Sequence, residues 1–201
     1  MRRVCDELVR RGVDLGRARG LEFFAREGDW QAVVYAGRVA SVEAWEIDPR
    51  FEPGLRARLP RATVRIVDSI PFALRPENQG RFDVVVIDNP QGCFGPDRRY
   101  CEHFEALETI GGLLDGAGVV VFNVNRAPFD FERHPDWQAR RSGYYALADT
   151  SRLSVDFLLG FYRQLFRRRG LATTFGFELP RNAEYLSYLV YRLEQGSGRE
   201  A

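Results

Sequence analysis

The segment that most constrains the fold is the run Phe82-Asp83-Val84-Val85-Val86-Ile87-Asp88, which ends at Asn89-Pro90. Its middle is continuously β-branched, which is typical of a strand buried on both faces. Such strands belong to parallel sheets that are covered by helices on both sides. A second run of this kind, Gly118 to Asn125, stops before Ala127-Pro128. The two runs predict a parallel sheet inside an α/β domain.

Weaker patterns complete this arrangement. Three further strands are predicted at Gly20 to Phe24, Ser41 to Ile47 and Thr63 to Asp68. Helices are predicted at Arg2 to Arg11, Trp30 to Gly37, Phe51 to Leu59, His103 to Leu114 and Val155 to Arg169. Near the end, Ala172 to Leu179 and Tyr185 to Leu193 alternate in polarity and flank the turn Pro180 to Glu184, as in an antiparallel hairpin. The predicted fold is α/β, a doubly wound and mostly parallel sheet with a C-terminal antiparallel hairpin.

Length and composition describe one ordinary globular unit. The 201 residues, 45% of them hydrophobic, predict a single domain over 1–194, with an insertion at about 127–150 and a frayed tail at 195–201. The net charge of +1 argues against a protein whose whole surface binds nucleic acid or anionic lipid. No apolar run reaches the roughly 18 residues of a membrane span, and the first residues lack a signal-peptide core. We therefore expect a cytoplasmic protein without a membrane partner.

Two residue types narrow the chemistry. All 29 basic residues are arginine, which excludes Schiff-base lysine chemistry and the lysine of a P-loop. Cys5, Cys93 and Cys101 are scattered and form no Cys-x-x-Cys motif, so neither a disulfide framework nor a zinc ribbon is predicted. Adjacent ligands such as Cys101, Glu102 and His103 rarely converge on one ion, and we expect no metal.

Acidic residues gather where the predicted strands end. These residues are Glu22, Glu46, Asp48, Asp68 and Asp88. Ligands of doubly wound sheets bind at this edge, and carboxylates crowded there favour a bound cation over a pyrophosphate. The turn Ala25 to Asp29 also lacks the Gly-x-Gly-x-x-Gly pattern of dinucleotide sites. NAD, FAD and ATP are therefore disfavoured, and S-adenosylmethionine, a cation with a ribose and an adenine, is the expected cofactor.

Four segments resemble the motifs of class I, Rossmann-like S-adenosylmethionine-dependent methyltransferases. They are Leu21 to Gly28, Val42 to Pro49, Val67 to Ser69 and Phe82 to Pro90, within a resemblance that extends from about Leu21 to Leu193. The resemblance implies this fold, a transferase, most simply a methyltransferase, and S-adenosylmethionine as cofactor. It implies that Glu46 holds the ribose hydroxyls and that Asp68 meets the adenine amino group. The implied cofactor-binding residues are Glu22, Ala25, Arg26, Gly28, Glu46, Ile47, Asp68 and Ser69.

The first motif departs from the family pattern. Arg26 stands where the family usually has a glycine, and only Gly28 remains of the glycine pair. A long cation near the methionine end of the cofactor has two interpretations: Arg26 clamps the methionine carboxylate, or it excludes the cofactor.

The acceptor end is predicted from the loop after the fourth strand. Methyl transfer is an in-line displacement, so the protein must position the acceptor and remove its proton. His103 is the first candidate for general base because it titrates near neutrality, although a structural histidine at a helix start is an equal alternative. Asp88 is the second catalytic candidate. Asn89, Tyr100 and Asn125 are the predicted acceptor-binding residues.

Alternatives remain open for the activity and for one segment. No added recognition domain is predicted, which favours a small-molecule acceptor over nucleic acid, and a homodimer is left open. A related enzyme could instead transfer or cyclise the aminocarboxypropyl arm and release methylthioadenosine. The segment 128–145 mixes rings with arginines, so it either covers the site, binds unpaired RNA bases in a non-catalytic module, or packs as an ordinary helix.

Three other acids have structural interpretations. Asp48 precedes Pro49 and is expected to cap the next helix. Glu43 is expected to face solvent, and Asp83 is expected to be a turn residue.

Overall fold

The computed structural model describes residues 1–29, 31–128, 130–183 and 185–196. Its strands are β1 (Arg19–Phe23), β2 (Ser41–Glu46), β3 (Thr63–Ile66), β4 (Phe82–Ile87), β5 (Cys93–Phe94), β6 (Tyr100–Cys101), β7 (Leu114–Asn125), β8 (Leu171–Ala183) and β9 (Leu186–Gln195). Its helices are α1 (Arg2–Arg10), α2 (Ala32–Tyr35), α3 (Glu52–Arg58), α4 (Ser69–Ala73), α5 (Phe104–Leu113), α6 (Pro135–Tyr145) and α7 (Val155–Arg168). No helix in these ranges has the length and apolar character needed to cross a bilayer.

Seven strands form one sheet in the order β3-β2-β1-β4-β7-β9-β8. The strands from β3 to β7 pair in parallel, and β9 pairs antiparallel with both β7 and β8. The chain winds outward from β1 to β3, returns to β4 on the other side of β1, and ends in the hairpin. The predicted doubly wound sheet with its C-terminal hairpin is confirmed.

The sheet separates two apolar cores, and β4 contributes to both. Val84 and Val86 pack on the side of α1, α2 and α3, whereas Val85 and Ile87 pack on the side of α4, α5 and α7. All four side chains are at most 3% exposed. Burial on both faces is the reason why this strand has no polar alternation.

Several elements differ from the sequence-based expectation. The helix predicted to start at Trp30 is a four-residue turn, α2, and Trp30 itself lies outside the described residues. A helix was one of the alternatives for the segment that forms α6, whereas α4 and the small β5–β6 hairpin were not predicted. Elements as short as these two carry too few residues for a periodic pattern to emerge. In the C-terminal hairpin, Glu184 of the predicted turn lies outside the described residues, as do 197–201 of the predicted tail.

The structural interpretation of Asp48 is confirmed. Its side chain accepts a hydrogen bond from the backbone N–H of Arg50 and caps the short helix that begins at Pro49.

The other two structural interpretations are wrong. Glu43 is 6% exposed and accepts hydrogen bonds from the indole N–H of Trp45 and from two arginine guanidinium groups. Asp83 accepts hydrogen bonds from the backbone N–H and the guanidinium of Arg19. Both acids are therefore partners that join neighbouring strands, because a buried or half-buried carboxylate requires donors.

Candidate active site

A cleft of about 660 Å³ opens at the carboxyl ends of β1, β2, β3 and β4. Its volume lies within the range of small-molecule sites, and its place is where doubly wound sheets bind ligands. The walls come from the turns after these strands, from the β5–β6 hairpin and from the C-terminal hairpin. The lining residues used below are Glu22, Phe24, Ala25, Arg26, Gly28, Glu46, Ile47, Asp48, Asp68, Ser69, Asp88, Asn89, Phe94, Gly95, Tyr100 and Arg181.

The structure brings together all eight residues predicted to bind the cofactor. Each of them lines this one cleft, as do the predicted acceptor-end residues Asp88, Asn89 and Tyr100. The parallel sheet explains the convergence, since β1 to β4 all end at the same edge.

Glu46 is held rigidly at the end of β2. One carboxylate oxygen accepts the backbone N–H of Arg26 at 2.6 Å, and the other accepts the backbone N–H of Asp48 at 2.8 Å. The residue is only 6% exposed. Because each carboxylate oxygen has two lone pairs, Glu46 retains the capacity to accept hydrogen bonds from a ligand.

Glu22, at the centre of the sheet edge, is a buried acid with unused hydrogen-bonding capacity. The residue is 3% exposed, and its Oε2 atom has no hydrogen-bond partner among the residues that the structure describes. Burial and the neighbouring charge of Asp88 raise the pKa of Glu22 well above its ordinary value. The neighbouring hydroxyl of Tyr35 acts in the opposite direction and lowers this pKa.

Asp88 is a buried cleft acid whose carboxylate is held by two side-chain donors. Its carboxylate accepts hydrogen bonds from the guanidinium of Arg181 and from the side-chain amide of Asn123, each at 2.8 Å. Burial raises the pKa of Asp88 to about 6, although the charge of Arg181 acts in the opposite direction. The group therefore changes its charge close to neutral pH.

Arg181 is a cleft residue that the sequence did not reveal. It lies on β8, its side chain is 5% exposed, and its guanidinium lies 5.8 Å from the ring centroid of Tyr188. In the sequence it is one of 29 arginines, and it stands in the predicted turn of the C-terminal hairpin. Since β9 is antiparallel to both β7 and β8, β8 runs in the same direction as β4 and β7 and brings Arg181 to Asp88, which is 93 positions away in the sequence.

The turn after β1 adopts a left-handed conformation at every second residue. The φ angles of Phe24, Arg26 and Gly28 are 57°, 49° and 68°. A Cβ atom at Gly28 would lie 2.9 Å from a methyl group of Leu55, so glycine at this position avoids a close contact as well as the cost of a left-handed conformation. The exposed Arg26 side chain lines the cleft with its guanidinium 5.7 Å from the ring centroid of Phe51.

A small hairpin forms the opposite wall. Tyr100 donates a hydrogen bond from its hydroxyl to Asp68 at 3.0 Å, and its ring packs against Phe94 and the backbone of Gly95. Phe94 in turn contacts Phe24 edge-on at 5.2 Å between ring centroids. The predicted adenine-binding acid and the predicted acceptor-binding tyrosine are therefore directly connected.

Asn89 presents a further unsatisfied acceptor to the cleft. Its amide nitrogen donates to the carbonyl of Pro90, whereas its Oδ1 atom has no partner within the described part of the chain. This oxygen is buried together with the residue, which is only 4% exposed, so it is an enclosed acceptor at the wall of the cleft.

The structure does not bring His103 to the cleft, which corrects the first choice of general base. The side chain is fully buried, and Nε2 is hydrogen-bonded to the hydroxyl of Tyr162. Burial, followed by the charge of Arg141, lowers its pKa well below the ordinary value. A neutral imidazole enclosed by rings has no access to a substrate proton, so His103 serves the packing of α5 and α7.

Asn125 does not line the cleft either. Its Oδ1 accepts the backbone N–H of Ala127 and thereby fixes the turn after β7. The strand-end position led to its prediction as an acceptor ligand, but its side chain stabilises its own turn.

The segment predicted as a possible cover packs away from the cleft. Among its described residues, none lines the cleft, and Phe129 lies outside them. On α6, Trp137, Arg141 and Tyr145 are buried. Arg141 forms a fully buried ion pair with Glu102, which also accepts the indole N–H of Trp137. The interpretation of this segment as a packed helix therefore agrees with the structure.

Comparisons with solved structures identify the fold. The chain is similar to the N-methyltransferase NodS from Bradyrhizobium japonicum (15% identity, TM-score 0.57), covering 98% of this chain and 96% of that one. It is similar to a Galdieria sulphuraria protein assigned as a sarcosine dimethylglycine methyltransferase (15% identity, TM-score 0.58), covering 97% of this chain and 85% of that one. It is also similar to a Pyrococcus horikoshii protein assigned as an RNA methyltransferase (15% identity, TM-score 0.54), covering 98% of this chain and 82% of that one. No family model and no curated protein matches the chain.

These likenesses and the strand order define the class: the chain has the class I methyltransferase fold, with its seven-stranded sheet and terminal antiparallel hairpin. At identities near 15%, the likeness establishes the fold and leaves the chemistry to be argued from the cleft.

Proposed function

We propose that the protein is an S-adenosylmethionine-dependent methyltransferase that acts on a small-molecule acceptor. The observation that carries this proposal is the single cleft in which Glu22, Glu46, Asp68 and Asp88 meet at the ends of four adjacent parallel strands. Carboxylates confined in this way favour a ligand with a positive centre and hydroxyl or amino donors.

The residues present fit the cofactor. The rigid carboxylate of Glu46 suits a pair of ribose hydroxyls, and the carboxylate of Asp68 suits the adenine amino group. Glu22 lines the cleft as a buried acid next to Asp88, where the positive end of the cofactor is favoured. Gly28 keeps the turn open where a Cβ atom would meet Leu55. When bound, the cofactor supplies an activated methyl group on its sulfonium.

Arg26 is compatible with this ligand. Its backbone N–H is already fixed by Glu46, and its side chain is exposed at the wall of the cleft. We assign its guanidinium to the methionine carboxylate, which a planar donor pair matches well.

Asp88 is the group best placed to accept a proton. A carboxylate with a pKa of about 6 is largely ionised at pH 7 yet is basic enough to receive a proton from an acceptor amine or hydroxyl. Arg181 and Asn123 hold its orientation.

The size of the cleft supports a small acceptor. Its 660 Å³ are suited to a cofactor and a compact second ligand, and the buried rings of α6 are not available for stacking on unpaired bases. If RNA were the acceptor, affinity for single-stranded RNA would fall steeply with added salt.

The proposal is tested by calorimetric titration with S-adenosylmethionine, followed by chromatography of the products after incubation with candidate amines and alcohols. We expect binding, and S-adenosylhomocysteine as the released nucleoside. Methylthioadenosine would instead demonstrate chemistry on the aminocarboxypropyl arm. A folded protein that binds neither S-adenosylmethionine nor S-adenosylhomocysteine would refute the assignment of the cleft.

A matched pair of variants tests the role of Asp88. Asp88→Asn is expected to abolish turnover while the variant still binds the cofactor. Asp83→Asn removes an acid near the start of β4, the strand that Asp88 follows, and it is expected to retain turnover because Asp83 does not line the cleft. Equal turnover in both variants would exclude Asp88 as the proton acceptor.

A further inference from the structure

Two cysteines face each other across the small hairpin that forms one wall of the cleft. In the antiparallel β5–β6 pair, Cys93 is the direct partner of Cys101, and Phe94 is the direct partner of Tyr100. Both thiols are free in the structure. The two residues are eight positions apart in the sequence, and only the hairpin register places them opposite each other.

The hydrogen bonds define which kind of cross-strand pair this is. The backbone N–H of Glu102 donates to the carbonyl of Gly92 at 3.0 Å, so Gly92 and Glu102 form a hydrogen-bonded pair. The adjacent pair, Cys93 and Cys101, is then a non-hydrogen-bonded pair. The backbone N–H of Cys101 agrees with this, because it donates to the Glu105 carboxylate instead of the opposite strand.

This pair type is the one suited to a covalent link. In non-hydrogen-bonded pairs the Cα atoms approach to about 4.5 Å and the side chains are closest. Disulfides span Cα separations of roughly 4.4–6.8 Å. The hairpin therefore meets the distance requirement without a rearrangement of its strands.

We propose that Cys93 and Cys101 are a redox-modification site that forms a reversible cross-strand disulfide in the wall of the cleft. This proposal stands on the register of the hairpin and does not depend on the proposed methyl transfer. With glutathione disulfide as oxidant, the Cys93 thiolate attacks one glutathione sulfur and releases one glutathione. Cys101 then attacks the Cys93 sulfur of the mixed disulfide and releases the second glutathione. Two electrons and the two thiol protons end on the two glutathione molecules.

Burial assigns the order of these steps. Cys93 is partly exposed and is open to an oxidant, whereas Cys101 is fully buried beside it and acts as the resolving thiol. Burial raises the pKa of both thiols, so exchange is expected to be slow at pH 7 and faster at pH 8.5. Cys5 lies on α1 and is buried, so it is expected to remain a thiol.

The link would affect the cleft directly. The closed segment from Cys93 to Cys101 includes Phe94 and Gly95, and Tyr100 holds Asp68 by its hydroxyl. A covalent link across the base of this hairpin restricts its opening. We therefore expect the backbone amides of 94 and 100–102 to exchange with deuterium more slowly in the oxidised protein than in the reduced protein.

The test is equilibration of the folded protein with glutathione redox buffers at pH 8.5, acid quenching and alkylation of the remaining thiols. Trypsin cuts after Arg98 and Arg99, so the peptides 82–98 and 100–126 remain joined only if the disulfide is present. We expect this linked pair as the main oxidised product, a mass loss of two hydrogens, and one alkylated thiol at Cys5.

Two variants make the outcome decisive. Cys101→Ser is expected to trap a glutathione adduct on Cys93, whereas Cys93→Ser is expected to give neither adduct nor link. Absence of the linked peptides in wild-type protein that is folded and held in glutathione disulfide would overturn the proposal. So would a link to Cys5 at comparable yield, since that would indicate unfolded chains.

Discussion

Glu46→Gln tests the cofactor assignment at one atom. The carboxylate of Glu46 accepts one backbone N–H on each oxygen, from Arg26 and from Asp48. A glutamine has one oxygen and one NH₂ group, and in either orientation the NH₂ group faces a backbone donor. The substitution therefore removes one internal hydrogen bond and also removes the charge that a pair of ribose hydroxyls would face.

The size of the effect follows from these contacts. A hydrogen bond to a charged group contributes about 1.5–3 kcal/mol. Loss of one such bond to a ribose hydroxyl weakens cofactor binding by roughly 10- to 150-fold. Loss of the internal bond to the turn lowers the free energy of unfolding by a similar amount, about 1.5–3 kcal/mol.

The assay is calorimetric titration with S-adenosylmethionine, with urea unfolding of the same samples. Glu43→Gln is the matched control, because it removes a buried acid from the same strand that bonds Trp45 and two arginines outside the cleft. The control is expected to lose stability and keep its affinity. If Glu46→Gln, still folded, binds the cofactor as tightly as the control does, the assignment of Glu46 to the ribose is refuted.

Three further predictions concern stability and charge. Gly28→Ala is expected to cost about 1 kcal/mol more than Gly80→Ala in urea unfolding, because both positions have positive φ but only Gly28 lies against a leucine methyl group. Arg141→Met is expected to lower the free energy of unfolding by about 3–5 kcal/mol, since it leaves a buried carboxylate unpaired. Carbon-13 NMR is expected to show the Asp88 carboxyl titrating near pH 6, and at a higher pH in Arg181→Met. Because this folded-state pKa is raised, the contribution of Asp88 to stability is complete below about pH 4 and is lost as the pH rises through 6.

The architecture was accessible from sequence because long β-branched runs have few alternatives. Val84 to Ile87 is apolar on both faces, and a sheet between two helical layers buries both. Once the strands were ordered, parallel winding placed every strand-end acid at one edge. Glu22, Glu46 and Asp68 therefore met in one cleft as predicted.

The errors arose where tertiary contacts decide the role of a side chain. The imidazole of His103 is a suitable general base in principle. However, His103 directly precedes α5, and its side chain points into the core, where it is hydrogen-bonded to Tyr162. Arg181 has no local signal, because its partner Asp88 is 93 positions away and meets it only through the order and direction of the strands in the sheet. Glu43 lies within β2, and its burial depends on Arg65 of β3 and on Arg81, which directly precedes β4. Propensity and spacing contain no information about these partners.

The turn after β1 has a consequence for how such clefts are detected. Phe24 and Arg26 hold left-handed dihedral angles without being glycine, at about 1–2 kcal/mol for each residue. A glycine motif in a sequence indicates positive φ angles in the backbone. Here three residues have positive φ angles, and two of them, Phe24 and Arg26, are not glycine. Searches that score residue identity will overlook chains that build the same curve from larger residues, whereas a search on φ and ψ along the turn would retrieve them.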